Sequence, residues 1–166
     1  VPPDCVGRLA DFLDAFPDVG VVGPLLLSRA NPDRIASAGL TYSRRTGRMR
    51  QLHEGAPARA HEFGARLDVD AVSGCVTLVR RTVFDAIGLL DERFFYSFED
   101  LDFCLRARAA GFRIAIAGHA IAYHQGGHSI GAAATARLYF AARNHLLLAA
   151  QLAPRDCARA RRVLRW

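Results

Sequence analysis

Acidic side chains follow a cluster of aromatic residues near the middle of the chain. Phe94-Phe95-Tyr96-Ser97-Phe98 leads directly into Glu99-Asp100-Leu101-Asp102. The apolar residues that come next recur at helical spacing and Gly111 ends the pattern, so the acids occupy the first turn of a predicted helix. The positive end of a helix dipole favours ionised carboxylates. An ionised carboxylate beside an aromatic wall is suited to act as a general base.

The same acids have a second interpretation that involves no chemistry. Ser97 and Asp100 are three residues apart, which is the spacing of a capping box in which the acid satisfies backbone N–H groups. Asp102 and Arg106 are four apart and would form a surface ion pair worth about 0.3–0.5 kcal/mol. Because caps are common, the helix start taken alone favours capping over catalysis.

Length and composition define the class of protein. The chain has 166 residues, of which 51% are hydrophobic, and this suffices for one domain with a substantial core. No apolar run reaches the ~18–20 residues of a membrane span, and the first residues do not resemble a signal peptide. Because Val1 is not an initiator, we expect the chain to begin within a longer protein.

Cysteine spacing and charge restrict the possible functions further. The cysteines at 5, 75, 104 and 157 share no CxxC spacing, which argues against a zinc site or a disulfide framework and indicates a reducing, cytoplasmic compartment. All 22 basic residues are arginines, the net charge is +6, and residues 155–166 hold five of these arginines with one acid. The rest of the chain is nearly balanced, which excludes an overall nucleic-acid-binding composition.

The arginine-rich tail at 155–166 has two interpretations. Its Val163, Leu164 and Trp166 are compatible with a basic amphipathic helix lying on anionic lipid at the inner face of a membrane. A solvated terminus fits equally well.

The elements that would position the acids predict an α/β fold. The patterns indicate helices over 6–16, 82–87, 99–110 and 135–152, strands over 19–27, 35–42, 67–72, 76–81, 112–117 and 120–124, a basic turn at 44–48 and a loop over 53–65. Pro24 indicates that the first strand is bent or lies at a sheet edge. We therefore predict a mixed sheet flanked by helices, with the site at the strand ends.

Three segments carry a resemblance to a known family. They are Ser73-Gly74-Cys75 ahead of Arg80-Arg81, the segment 90–107 that contains the acids, and Tyr123-His124-Gln125-Gly126-Gly127-His128-Ser129. Their order resembles the second half of family 2 glycosyltransferases, especially rhamnosyl- and galactofuranosyltransferases of bacterial polysaccharides, over nearly the whole chain to about residue 152. The resemblance implies a partial GT-A fold, a Rossmann-like mixed sheet. Residues 1–134 would form its C-terminal, acceptor-side portion and 135–166 a helical extension.

The resemblance also implies roles for individual residues. Asp100 would remove the proton from the acceptor hydroxyl, and this raises catalysis above capping as its interpretation. The resemblance further implies that a set of residues contacts the acceptor or supports the base, namely Glu99, Asp102, Ser73, Gly74 and Cys75. It implies that His124 binds a divalent metal. It also implies that His128 and Arg143 contact the diphosphate. Carboxylate and imidazole ligands suit Mg²⁺ or Mn²⁺.

The implied function is an inverting, metal-dependent sugar transfer in cell-surface polysaccharide synthesis. The donor would be a dTDP- or UDP-linked sugar and the acceptor a saccharide or a polyprenyl-linked saccharide, without nucleic acid. The family's nucleotide-binding half and its Asp-x-Asp motif would precede Val1, so we expect no transfer by this chain alone and an exposed sheet edge. Asp68-Val69-Asp70 has the letters of that motif but is interpreted as part of a strand.

A non-catalytic carbohydrate- or partner-binding module with the same half-fold is the alternative. The enzyme hypothesis depends on one spatial prediction, which is that Asp100 and His124 meet in a common cavity.

Overall fold

The structure, a computed structural model, describes residues 1–58, 63–125 and 135–152. Its helices are α1 (Cys5–Ala15), α2 (Arg81–Ile87), α3 (Glu99–Ala109) and α4 (Thr135–Leu152), with a 3-10 turn at Glu92–Phe94. Its strands are β1 (Val19–Ser28), β2 (Ile35–Ser37), β3 (Leu40–Ser43), β4 (Arg48–Gln51), β5 (Arg66–Asp68), β6 (Leu78–Val79) and β7 (Arg113–His124). The predicted α/β class is confirmed.

Strands β1 and β7 run parallel at the centre of the main sheet. The strand order is β2-β1-β7-β5, β6 also pairs with β1, and the outer pairings are antiparallel. The sheet is therefore mixed, as predicted, and β3 and β4 form a separate hairpin. Because Ser28 and His124 are partners at the ends of the two central strands, both strands deliver the chain to the same edge, where α/β sheets usually place their ligands.

Both faces of the sheet are covered, which explains the continuous apolar run in β1. Val22 and Leu26 pack with the buried side of α1, while Val21 and Leu25 pack in a second cluster with α3 and α4. A strand that is buried on both faces has no polar alternation. The α1 stripe is confirmed at its buried positions but not at Val6, which is 58% exposed.

Pro24 lies in a central strand, so its predicted edge position is wrong, whereas the strand pairing is irregular directly after it. The register between β1 and β7 shifts after the pair of Pro24 with Ala117, and Leu25 then pairs with Ile121. The intervening residues form an irregularity within β7, and a Cβ at Gly118 would overlap the carbonyl of Gly64. The two strands predicted at 112–117 and 120–124 are therefore one bulged strand.

Other predicted strands are shorter in the structure. The strand expected over 35–42 is split into β2 and β3 because Gly39 adopts a φ of +93°, which is incompatible with a strand. The strands expected over 67–72 and 76–81 contract to β5 and β6. The predicted basic turn at 44–48 and the predicted helix ends at Gly88 and Gly111 agree with the structure.

The ion pair between Asp102 and Arg106 has a buried carboxylate and a partly exposed guanidinium, which corrects the prediction of a surface pair. Asp102 is 4% exposed, and Arg106 Nε donates to its Oδ2 at 2.8 Å. The same guanidinium donates to the carbonyl oxygens of Ile87 and Leu89. The pair therefore joins the buried side of α3 to the end of α2.

Helix α4 packs against the main core. Leu148 is fully buried in the cluster that contains α3, and Gln151 Nε2 donates to Asp91 Oδ2 at 3.2 Å. Among the described helices, none combines the length and apolar character needed to cross a membrane. The predicted tail at 155–166 lies outside the described residues, and a domain boundary between 134 and 135 stays a prediction.

Candidate functional site

A cleft of about 980 Å³ opens where β1 and β7 end. His124 reaches it from the end of β7, Asp100 from the start of α3, and residues 73–75 from the loop before β6. The structure thus brings Asp100 and His124 to one cavity, together with Glu99, Ser73, Gly74 and Cys75. Their chemical roles stay predictions.

The Asp100 carboxylate is held by backbone N–H groups from two parts of the chain. Its Oδ2 accepts from the Gly74 N–H at 2.9 Å, and its Oδ1 accepts from the Leu101 N–H at 2.8 Å. The first of these contacts joins residues 26 positions apart, so it is tertiary and not a helix cap. Each carboxylate oxygen keeps a lone pair with which it can accept a substrate hydroxyl.

The capping box predicted for Ser97 and Asp100 is wrong. The N-cap of α3 is Phe98, whose side chain makes no cap hydrogen bond. Ser97 and Phe98 instead adopt φ values of 67° and 74°. Left-handed backbone at residues other than glycine is strained and is found preferentially at functional sites, where the surrounding structure holds it in place.

Helix α4 supplies the contacts that hold this strained turn. Asn144 is fully buried, and its Nδ2 donates to the carbonyl oxygens of Tyr96 and Ser97 at 2.7 and 2.9 Å. Arg143 Nη1 donates to the carbonyl of Arg93 at 2.7 Å. These hydrogen bonds fix the loop that carries the chain into α3 and therefore fix the position of Asp100.

Arg143 does not line the cavity, because its guanidinium is directed to that loop. A contact between Arg143 and a diphosphate stays a prediction without geometric support. The arginine of α4 that does line the cavity is Arg137. His128, the other predicted diphosphate contact, lies outside the described residues.

The aromatic cluster does not form one wall beside the acids. Phe94 and Phe98 are buried in the main core, whereas Phe95 is 78% exposed and contacts Phe140 in a tilted arrangement with ring centroids 5.3 Å apart. Tyr96 is the member that lines the cavity. The cluster mainly anchors the loop, and a single ring faces the acids.

Asp102 does not line the cavity either. Its carboxylate binds Arg106 and does not reach the cavity. The resemblance implied either a contact with the acceptor or support of the base, and the contact with the acceptor has no geometric support. Its role in supporting the base stays a prediction, since the buried pair holds the helix that carries Asp100.

Glu99 differs from Asp100 in having no partner for one oxygen. Its Oε2 is buried and makes no hydrogen bond with the described residues. Burial raises the pKa of this carboxyl above its ordinary value, and the neighbouring Asp100 charge adds to the effect. Of the two adjacent acids in this cavity, Glu99 is therefore the one whose ionised form its surroundings disfavour.

Replacing Glu99 with glutamine is expected to stabilise the fold at neutral pH. Because the pKa of Glu99 is raised in the folded state, the wild-type protein loses stability as pH rises through that pKa, and glutamine does not titrate. The gain should stay below about 1 kcal/mol, since the side chain is partly solvated, and should fade below the ordinary pKa of 4.5. Urea unfolding between pH 4 and 8 measures it. The control is Glu54→Gln, which replaces an exposed acid of the same cavity. If the change in unfolding free energy had the same pH dependence in both variants, the raised pKa of Glu99 would be contradicted.

A metal site is not complete within the described residues. No group of three or more His, Cys, Asp or Glu side chains among residues 1–58, 63–125 and 135–152 is arranged to hold a metal ion. His124 would contribute one ligand from the cavity wall. Asp68 and Asp70 lie elsewhere and pair with Arg66 and Arg108. Asp68 ends β5, as the strand interpretation predicts, whereas Asp70 lies beyond the strand.

Sequence reasoning missed several residues of the cavity. Ser28, Asn31 and Arg34 lie at or after the end of β1, and Gln51 ends β4. The available signal was their position directly behind a buried strand, where ligand-binding loops occur in α/β sheets. Gln51 had no such signal, because the hairpin that carries it is not part of the main sheet.

A family model matches most of the chain. Residues 1–145 match the family model described as Glycosyltransferase like family 2, a span that includes every described residue of the cavity. No curated protein matches the chain.

Proposed function

Because the chain belongs to the glycosyltransferase-like family 2, we propose that its cavity binds a sugar acceptor and that Asp100 is the general base of an inverting glycosyl transfer. The observation that supports this most is the position of Asp100, whose carboxylate faces a 980 Å³ cleft while backbone N–H groups of Gly74 and Leu101 orient it. A base with a fixed position needs no reorganisation when the proton moves.

In the proposed reaction Asp100 accepts the proton of an acceptor hydroxyl. The hydroxyl oxygen then forms a bond to the anomeric carbon of the donor, while the bond from that carbon to the leaving nucleoside diphosphate breaks. Attack from the side opposite the leaving group inverts the configuration. Tyr96 and Gln125 line the same cavity and are suited to contact the sugars.

The leaving diphosphate requires positive charge. Arg34 and Arg137 lie in the cavity wall, and guanidinium groups bind phosphate oxygens in a bidentate way. Mn²⁺ or Mg²⁺ would supply further charge neutralisation when bound. His124, which lines the cavity, would contribute one ligand to it in this proposal, and the diphosphate oxygens would have to contribute others.

The substrates belong to the same proposal. We infer a dTDP- or UDP-linked hexose, rhamnosyl and galactofuranosyl donors included, and a saccharide or lipid-linked saccharide acceptor, used on the cytoplasmic side in cell-surface polysaccharide synthesis. The contacts to the nucleotide base would lie in the nucleotide-binding half that the family places ahead of these motifs. The support for these details is the resemblance of the motifs and not the cavity itself.

A direct test uses the complete gene product. The protein is incubated with UDP- or dTDP-hexoses, each with and without saccharide acceptors, and release of nucleoside diphosphate is measured. Release that depends on the acceptor supports the proposal. Acceptor binding by calorimetry without release from any donor would contradict it and would support a non-catalytic carbohydrate-binding module.

Gly74→Ala is expected to disturb Asp100 without blocking the cavity. A Cβ at residue 74 would lie 3.3 Å from Asp100 Cβ and 3.6 Å from its Oδ2, so the carboxylate must shift. A shift of a few tenths of an ångström in a catalytic group is expected to lower kcat by roughly 2- to 10-fold, while the KM for the donor should hardly change. Steady-state kinetics measures both constants. Gly7→Ala, where a Cβ meets nothing within 4 Å, is the matched control, and an unchanged kcat for Gly74→Ala would remove Gly74 from the positioning role.

A further inference from the structure

The hairpin formed by β3 and β4 carries a concentration of positive charge on arginines that do not line the proposed catalytic cavity, although its last residue, Gln51, does. Residues 40–51, called the basic hairpin below, contain Arg44, Arg45, Arg48 and Arg50 and no acid. All four side chains are exposed. No carboxylate of the described residues forms an ion pair with any of them, whereas arginines such as Arg66 and Arg108 do have such partners.

Strand pairing gives the basic hairpin two different faces. Tyr42 pairs with Met49, and both side chains pack against the main core. The neighbouring pairs, Thr41 with Arg50 and Ser43 with Arg48, must point the other way, because side chains alternate along a strand. The outward face therefore carries two cross-strand pairs, each with one hydroxyl opposite one guanidinium.

These side chains surround a cleft of their own. It has a volume of about 380 Å³ and is lined by Thr41, Tyr42, Ser43, Thr46, Arg48 and Arg50. None of these residues lines the cavity that contains Asp100. The cleft therefore offers guanidinium and hydroxyl donors, without an acidic side chain, at a place that the proposed transfer reaction does not use.

Electrostatics favours an anionic ligand in this cleft. Arg48 and Arg50 are two residues apart on one face of a strand, with their Cα atoms about 7 Å from each other, and Arg44 and Arg45 lie in the turn that precedes them. Like charges at such distances repel. The nearest described contact with a carboxylate is at Asp70, whose Oδ2 accepts from the Tyr42 N–H at 2.7 Å, but Asp70 forms its ion pair with Arg108 and with none of the four arginines. An anion bound between Arg48 and Arg50 would offset the repulsion.

We propose that the outward face of the basic hairpin is a binding site for a phosphate-bearing anion. Guanidinium groups form paired hydrogen bonds with phosphate oxygens, and the hydroxyls of Thr41 and Ser43 supply further donors. Free phosphate compounds and lipid headgroups share this chemistry. The site is separate from the proposed catalytic function and does not depend on it.

Two probes distinguish the sources of the anion. Inorganic pyrophosphate is titrated by calorimetry at low salt, and sedimentation is measured with vesicles of phosphatidylcholine alone or mixed with phosphatidylglycerol. We expect pyrophosphate binding that weakens with added salt, because exposed charges are screened. Binding to the mixed vesicles without pyrophosphate binding would assign the site to lipid headgroups, and binding to neither probe would overturn it.

Variants separate a specific site from general charge attraction. Arg48→Gln with Arg50→Gln should weaken binding at least tenfold, whereas Arg81→Gln with Arg113→Gln removes the same charge from exposed positions elsewhere and should change it little. Thr41→Val with Ser43→Ala leaves the charge unchanged and removes two hydroxyl groups. It should weaken, severalfold, the binding of whichever probe the wild-type protein binds, pyrophosphate or vesicles. Equal losses in the two arginine pairs, or unchanged affinity in the hydroxyl variant, would overturn the site.

Discussion

Replacing Asp100 with asparagine is expected to lower the kcat of the complete gene product by roughly 100- to 10,000-fold, the range attributed to general-base catalysis. The amide has the size of the carboxylate but cannot take a proton from a hydroxyl at neutral pH. Nucleoside diphosphate binding, measured by calorimetry, should be retained, because the substitution removes a group that acts on the acceptor. Acceptor-dependent release of nucleoside diphosphate measures the loss.

Asp68→Asn provides the control for Asp100→Asn. Asp68 lies outside the cavity and pairs with Arg66, so its substitution should leave kcat close to the wild-type value. The control also tests the interpretation of Asp68-Val69-Asp70, since loss of turnover there would support a metal motif at this segment. Wild-type turnover in Asp100→Asn would refute the assignment of the base.

The substitution Arg106→Met is expected to reduce the free energy of unfolding by about 3–5 kcal/mol, because it leaves a buried carboxylate without its partner. Asp102 is 4% exposed, and the lost guanidinium also satisfies the carbonyl oxygens of Ile87 and Leu89. Methionine preserves much of the apolar stem, so the effect reports on the charge and its hydrogen bonds. Urea unfolding, with the midpoint and slope both fitted, measures it.

A second ion pair of the same spacing gives a matched comparison. Arg8 and Asp4 are also four residues apart, with their side chains 52% and 58% exposed, and Arg8→Met should change the unfolding free energy by less than about 1 kcal/mol. In Arg106→Met with Asp102→Leu, much of the lost stability should return, because an apolar pair can replace a buried ion pair. A loss below about 1 kcal/mol in Arg106→Met would show that the Asp102 carboxylate is not buried in solution.

The sequence by itself determined the main elements of this protein. The structure agrees with the sequence on the apolar run of β1, the periodicity of α3 up to Gly111 and the bounds of α4. Each of these features follows from the local pattern of apolar residues, which a single sequence contains. It also indicated residues that meet at the cavity, because the segments that contain residues 73–75, Asp100 and His124 resemble, in their order, those of a known family.

The tertiary structure decided what surrounds each of those residues. Local spacing predicted that Ser97 would cap α3, but the chain turns there through positive φ values because Asn144, 47 and 48 positions away from its partners Ser97 and Tyr96, holds their carbonyl oxygens. Asp100 likewise accepts from Gly74 across 26 positions. Contacts of this range leave no periodic trace in a single sequence.

The two ion pairs show the same division. Asp4 with Arg8 and Asp102 with Arg106 have identical spacing in the sequence, yet one pair is exposed and the other has a buried carboxylate. Spacing on a helix determines which side chains are neighbours. Only the packing of the sheet and of α2 against α3 determines which face of the helix is removed from water, and removal from water sets the energy of the pair.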